Sequence, residues 1–82
     1  MSSKRFENVI NALVELNEDS STPKNVQDKV TKSIKILSDE KLAAPIQKSK
    51  VLAELEELSD DVNLQTDIRT QLFNVFGLLE AV

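Results

Sequence analysis

The apolar residues of this chain recur at a fixed interval of 21 residues. Three sets show this interval: Val9, Val30, Val51 and Leu72; Leu13, Ile34, Leu55 and Phe76; Leu16, Leu37, Leu58 and Leu79. Within each repeat the three apolar positions are spaced i, i+4 and i+7, which places them on one face of a helix. The repeat therefore predicts either one long coiled coil, because 21 residues are three heptads, or four separate helices of equal length.

Two prolines decide between these alternatives. Pro23 and Pro45 follow a repeat leucine by seven and eight residues. A proline inside a helix costs about 3 kcal/mol or more, whereas the first turn of a new helix accepts it. The chain has one Gly and two Pro, too few for the many turns of a β-rich protein. The sequence therefore predicts an all-α fold, a four-helix antiparallel up-and-down bundle formed by a single domain over residues 1–82.

The helices are expected over residues 4–17, 23–37, 45–58 and 64–80, joined by short links that suit antiparallel neighbours. The expected N-caps are Ser3 for the first helix, Thr22 for the second, and Asn63, Asp60 or Asp61 for the fourth. Pro23 is expected at the first helical position of the second helix. The sequence leaves open whether Gly77 lies within the last helix or ends it.

The composition argues against catalysis. The chain has no His, Cys, Trp or Tyr, so a hydrolytic triad and a histidine or thiolate metal site are excluded. A single Gly cannot build a phosphate-binding loop. We therefore expect a protein that is not an enzyme, with no catalytic residue, metal or cofactor. The lack of Cys, of a signal-peptide pattern and of a long apolar stretch predicts a cytoplasmic protein that does not enter the membrane.

The net charge of −4 is unevenly distributed. Residues 22–50 hold seven Lys and three acidic residues, whereas residues 51–82 hold seven acidic residues and one Arg. The candidate basic surface lies on the second helix and consists of Lys24, Lys29, Lys32 and Lys35. A solvated helix face is the favoured interpretation. The alternatives are a nucleic-acid- or ribosome-associated surface, which the acidic net charge and the lack of interleaved aromatics disfavour, and oppositely charged faces that steer a dimer.

The last helix is more apolar than one core requires. Its apolar residues within 72–82 cover an arc of about 220°, whereas a helix that faces one core needs little more than about 100–140°. The surplus predicts a homodimer or protein-partner contact, with candidate interface residues Phe73, Phe76, Leu78 and Val82. The alternative is that this helix is the most enclosed member of the bundle.

Arg69 is a basic residue inside that apolar arc. An arginine in this position needs a carboxylate or an aromatic ring, and Asp60 or Asp61 in the preceding turn is a candidate partner. The alternative is that its aliphatic stem lies along the surface while its guanidinium reaches water.

Three segments of the chain resemble a known family. The first is Leu16–Asn25, which contains a Pro-Lys-Asn helix opening, and the second is Leu55–Asn63, which contains a Ser-Asp-Asp turn. The third covers residues 68–74, with the run Ile-Arg-Thr and the pair Phe-Asn. The pattern is similar to that of a small archaeal family, uncharacterised protein family 0147. The resemblance implies an archaeal source and a four-helix bundle, and it implies no function. If the family shares a site, the matching positions here are Pro23, Lys24, Asn25, Arg69, Thr70 and Asn74.

Overall fold

The computed structural model describes residues 6–82, and within them it contains four α-helices and no strand. The helices are α1 (Glu7–Glu18), α2 (Lys24–Ser38), α3 (Ala44–Ser59) and α4 (Thr66–Glu80). The all-α, four-helix prediction is therefore confirmed. The described helix ends lie within two residues of the expected ones, while the expected start of the first helix and its cap Ser3 lie outside the described residues.

The four helices form a ring around one core. Each helix packs against its neighbours in sequence, α4 closes the ring against α1, and within residues 6–82 the backbones of the diagonal pairs do not approach each other closely. The α3–α4 contact is the thinnest of the four. The ammonium of Lys48, near the start of α3, donates to the carbonyl of Val82, just past the end of α4. This contact places the start of α3 beside the end of α4, as an antiparallel pair requires.

The 21-residue repeat becomes the hydrophobic core. Ten of its twelve positions are buried, and the other two, Ile34 and Phe76, are half-buried and pack against the core. The core is completed by Phe6, Val26, Leu64, Ile68 and Val75. Because every helix contributes one apolar stripe, the four stripes can be buried only by meeting each other.

The three links between helices share one turn. Asp19, Asp39 and Asp61 each follow a helix end, and the Oδ1 atom of each accepts the backbone N–H two residues later at 2.9–3.0 Å. The backbone carbonyl of each also accepts the N–H three residues later at 3.0–3.2 Å. These bonds define an Asx turn followed by a tight return of the chain. The polar segments that follow the leucine repeat are thus turns.

The predicted N-caps are wrong for α2 and α4. The N-cap residues are Pro23 and Gln65, both in extended conformation and without a side-chain cap bond. The hydroxyl of Thr22 is turned the other way and donates to the Leu16 carbonyl at 2.7 Å, closing the end of α1. Asn63 lies inside the turn, where its N–H donates to Asp61. The polar groups of Thr22 and Asn63 therefore form hydrogen bonds to the preceding helix end or within the turn, and do not cap the helix that follows.

Gly77 lies inside α4, which continues without a break to Glu80. A Cβ atom built at this position meets nothing within 4 Å. Gly77 therefore neither ends the helix nor permits a close approach of another backbone. It lowers the helix stability by about 0.5–1 kcal/mol relative to alanine.

Candidate functional site

In α2, α3 and α4, the fourth residue after the N-cap carries a hydrogen-bond donor that closes the preceding turn. These residues are Gln27, Gln47 and Arg69. The last carbonyls of a helix have no partner within that helix and carry a partial negative charge. A donor on the first turn of the next helix can reach back to them, because consecutive helices pack side by side. This contact is structural, and no sequence pattern predicted it at Gln27 or at Gln47.

Gln47 makes the most of these bonds. Its Nε2 atom donates to the carbonyls of Ile36, Leu37 and Asp39 at 3.0, 3.2 and 2.9 Å. The residue is only 4% exposed. By contrast, the Nε2 atom of Gln27 makes one long bond of 3.4 Å, to the carbonyl of Asn17. Gln47 therefore secures the α2–α3 turn more firmly than Gln27 secures the α1–α2 turn.

Arg69 closes the α3–α4 turn and bonds to Asp61, one of the two expected partners, but through its backbone carbonyl and not its carboxylate. Its Nη1 and Nη2 atoms donate to the backbone carbonyls of Ser59 and Asp61 at 3.1 and 3.0 Å, rather than to a carboxylate or a ring. The guanidinium is held there because the Ser59 carbonyl at the end of α3 would otherwise lack a partner, whereas the Asp61 carbonyl also accepts the N–H of Leu64. Arg69 thereby marks the side of α4 that faces α3.

The six positions that match the family pattern are not brought together. Thr70 and Asn74 are exposed on α4, and the side chain of neither makes a hydrogen bond to another described residue. Pro23, Lys24 and Asn25 are exposed at the start of α2, which is diagonal to α4. Among residues 6–82, no hydrogen bond or ion pair joins the two groups, so a shared polar site stays a prediction.

Part of the basic surface of α2 is occupied by carboxylates of α3. The Nζ atom of Lys29 forms ion pairs with Glu57 and with Glu54, the latter at 3.1 Å. Lys32 pairs with the other oxygen of Glu54 at 3.2 Å. The remaining two members of the predicted basic surface, Lys24 and Lys35, form no ion pair with another described residue. Lysines of α2 and glutamates of α3 therefore form ion pairs within one molecule.

These ion pairs shift the pKa values of both Lys29 and Glu54. Hydrogen bonds to Glu57 and then to Glu54 raise the pKa of Lys29 above its ordinary value of 10.5. Hydrogen bonds from Lys29 and then from Lys32 lower the pKa of Glu54 below its ordinary value of 4.5. A lowered acid pKa stabilises the fold above the unfolded pKa, and a raised lysine pKa does so below it. The ion pairs therefore stabilise the fold fully between pH 4.5 and pH 10.5, the two ordinary pKa values. This stabilisation is lost as the pH falls through the lowered pKa of Glu54 or rises through the raised pKa of Lys29.

Replacing Lys29 with methionine tests this linkage. Near neutral pH, we expect Lys29→Met to lower the free energy of unfolding by about 1 kcal/mol or less, because the pairs are partly solvated. The difference from the wild type should disappear as the pH falls through the lowered pKa of Glu54. Urea unfolding at neutral pH and at about pH 3 measures it. Lys24→Met is the control, and an equal pH dependence of both variants would contradict the assignment.

A groove of about 480 Å³ lies between α2 and α3 beside these ion pairs. Its apolar floor includes Ile36 and Leu42, and three lysines stand around it: Lys32, Lys35 and Lys50. Of these, Lys32 is already paired with Glu54. The surface that could meet a polyanion is therefore smaller than the sequence indicated.

The exposed apolar residues of α4 lie on two of its sides. Phe73 is 59% exposed and follows Arg69 by one helical turn, so it also lies towards α3. The rings of Phe73 and the half-buried Phe76 are 6.3 Å apart and tilted by 60°. Leu78 lies on the opposite side of the stripe, where it is half-buried and packs against the core. The four candidate interface residues therefore do not form one patch.

A second groove, of about 430 Å³, lies between α3 and the end of α4. It is lined by Ala44, Pro45, Lys48, Ser49, Leu52 and Val82. Val82 is 43% exposed. Because α3 and α4 make the thinnest contact of the ring, apolar side chains on both helices stay open to solvent here. We call the surface formed by Pro45, Leu52, Phe73, Phe76 and Val82 the α3–α4 face.

Residues 6–82 contain neither a metal-binding cluster nor a membrane-spanning helix. In this part of the chain, no group of three or more acidic side chains is arranged to hold a metal ion. No helix in the same range has both the length and the apolar character needed to cross a bilayer. The turn around Asp60 and Asp61, which has part of the pattern of a calcium loop, is the hydrogen-bonded Asx turn described above.

The chain is similar to archaeal proteins over nearly its whole length. It is 33% identical over 82 residues to the UPF0147 protein TV0625 of Thermoplasma volcanium, covering all of this chain and 92% of that protein. It is 31% identical over 78 residues to a UPF0147 protein of Sulfurisphaera tokodaii, covering 95% of this chain and 88% of that one.

A solved structure shows the same fold. The crystal structure of a UPF0147 protein from Thermoplasma acidophilum superimposes with a TM-score of 0.89 at 33% identity, and the match covers 95% of this chain and 92% of that one. The family pattern itself matches residues 1–82. The resemblance inferred from the helix openings and turns is therefore confirmed, and the chain belongs to the uncharacterised protein family UPF0147.

Proposed function

We propose that this protein is a non-enzymatic, cytoplasmic interaction protein that self-associates through the α3–α4 face. The observation that carries the proposal is the 59% exposure of Phe73, one helical turn after Arg69 and so towards α3. A phenylalanine ring left in water forfeits the free energy that its burial would provide, and exposed apolar patches on small proteins commonly mark binding surfaces. The family is uncharacterised and supplies no competing activity.

The alternative, a nucleic-acid- or ribosome-associated module, has weaker support. A polyanion on α2 would compete with Glu54 and Glu57 for Lys29, and with Glu54 for Lys32. Counterion release contributes to the binding free energy only through those lysines that are free to contact phosphates. The ion pairs therefore reduce the gain that such binding could bring.

Light scattering on the wild type and on Phe73→Lys tests self-association. At micromolar concentration the wild type should have twice the chain mass of 9.2 kDa, and Phe73→Lys should be monomeric. The control is Val14→Lys, which places the same charge at another exposed apolar residue, on α1, and should leave the dimer intact. Circular dichroism confirms that each variant is folded. A monomeric wild type rejects the proposal.

A further inference from the structure

We infer that two copies pack antiparallel across the α3–α4 face, with Leu52 on the two-fold axis and Lys48 of each copy opposite Glu56 of the other. The inference rests on the proposed self-association and specifies its geometry. It commits the apolar groove of this face to one occupant, a second copy of the chain.

The geometry follows from the spacing of three residues on α3. Lys48, Leu52 and Glu56 are four residues apart, so they form a stripe along one side of the helix, with a rise of about 6 Å between neighbours. Lys48 and Leu52 line the groove, and Glu56 is exposed one turn further on. When two such stripes meet antiparallel around Leu52, each lysine lies opposite a glutamate.

The charges at the two ends of the bundle favour the same orientation. The pairs Lys29–Glu54 and Lys48–Val82 show that α2, α3 and α4 alternate in direction. The α1–α2 and α3–α4 turns therefore share one end, which carries the carboxylates of Glu18, Asp19, Asp60 and Asp61. The other end is of mixed charge: it carries Lys41 and Lys48, together with Glu7, Asp39, Glu40 and Glu80. An antiparallel pair sets the acidic end of one copy beside the lysines of the other, whereas a parallel pair would bring both acidic ends together.

The size of the face is sufficient for a stable dimer. The bundle measures 37 × 21 × 19 Å, so one side face has an area on the order of 800 Å². Stable interfaces commonly bury about 800 Å² per partner. The face includes Leu52 and the ring pair of Phe73 and Phe76, and Lys48 and Glu56 flank Leu52 along α3, so it combines apolar and charged residues as protein interfaces do.

Charge reversal tests the register. Sedimentation equilibrium should show that Lys48→Glu and Glu56→Lys each weaken the dimer at least about tenfold in Kd, because like charges then face each other. The double variant should recover most of that loss. Glu56 makes no bond to Val82, so recovery cannot come from restoring the Lys48–Val82 bond within one chain. Two additive losses without recovery would overturn the antiparallel register.

An engineered disulfide gives an independent test. The chain has no Cys, so Leu52→Cys introduces a single thiol at the proposed axis, where it meets its own copy. Under mild oxidation this variant should form a covalent dimer much faster than Asn11→Cys, a control at an exposed position on α1. If the wild type is dimeric but position 52 does not cross-link preferentially, self-association stands and the antiparallel geometry is wrong. If the wild type is monomeric, both fail.

Discussion

Replacing Leu55 with alanine is expected to lower the free energy of unfolding by about 2–5 kcal/mol. Leu55 belongs to the repeat, is fully buried and lies in the core that all four helices share. The substitution removes buried apolar area and leaves a cavity that four packed helices can only partly close. A domain of this length has a total stability of about 4–12 kcal/mol, so the loss is a large fraction of it.

Urea unfolding followed by circular dichroism measures this loss, at a protein concentration low enough to keep the chain monomeric. Phe73→Ala is the control, because it removes a larger apolar group from an exposed position. Its effect on the monomer should stay within about 1 kcal/mol. Equal effects of the two variants would mean that α4 buries Phe73 in solution, which contradicts the exposure of its ring.

Replacing Gln47 with leucine is expected to cost about 1–3 kcal/mol, although the substitution adds apolar volume to a buried position. The Nε2 atom of Gln47 is shared by three carbonyls at the end of α2. Leucine provides no donor, so the Leu37 carbonyl, which the fold shields from water, would lose its partner, and the carbonyls of Ile36 and Asp39 would keep only their backbone donors. The penalty arises from those carbonyls rather than from the side chain itself.

The matched control is Gln27→Leu at the equivalent position of the first turn. The single 3.4 Å bond of Gln27 is long, so its loss should cost less than about 1 kcal/mol. Hydrogen exchange adds a local measurement: the amides of Asp39 and Leu42, which close the α2–α3 turn, should lose protection in Gln47→Leu. If both glutamine variants are equally stable, the three-carbonyl contact does not contribute as proposed.

The partners of the polar residues could not be predicted from sequence patterns. Helical spacing correctly showed that Arg69 lies beside the apolar stripe, but its partner is a pair of backbone carbonyls that no sequence pattern identifies. The excess of lysine on α2 and of glutamate on α3 was evident in the sequence. That Lys29 and Glu54 meet depended on which sides the two helices turn towards each other. In the sequence, nothing distinguished Gln47 as the residue that closes the α2–α3 turn except its distance from the start of α3.

The sequence by itself determined the number of helices, their approximate ends and the residues of the core. The 21-residue apolar period and the two prolines act locally or along one helix, so they are readable from the chain. Only the tertiary structure decided which donors close the turns, which lysines are neutralised and that Phe73 stays exposed beside a thin α3–α4 contact. Those outcomes depend on how helices rotate and pack against one another, and that arrangement is set by the burial of all four stripes together.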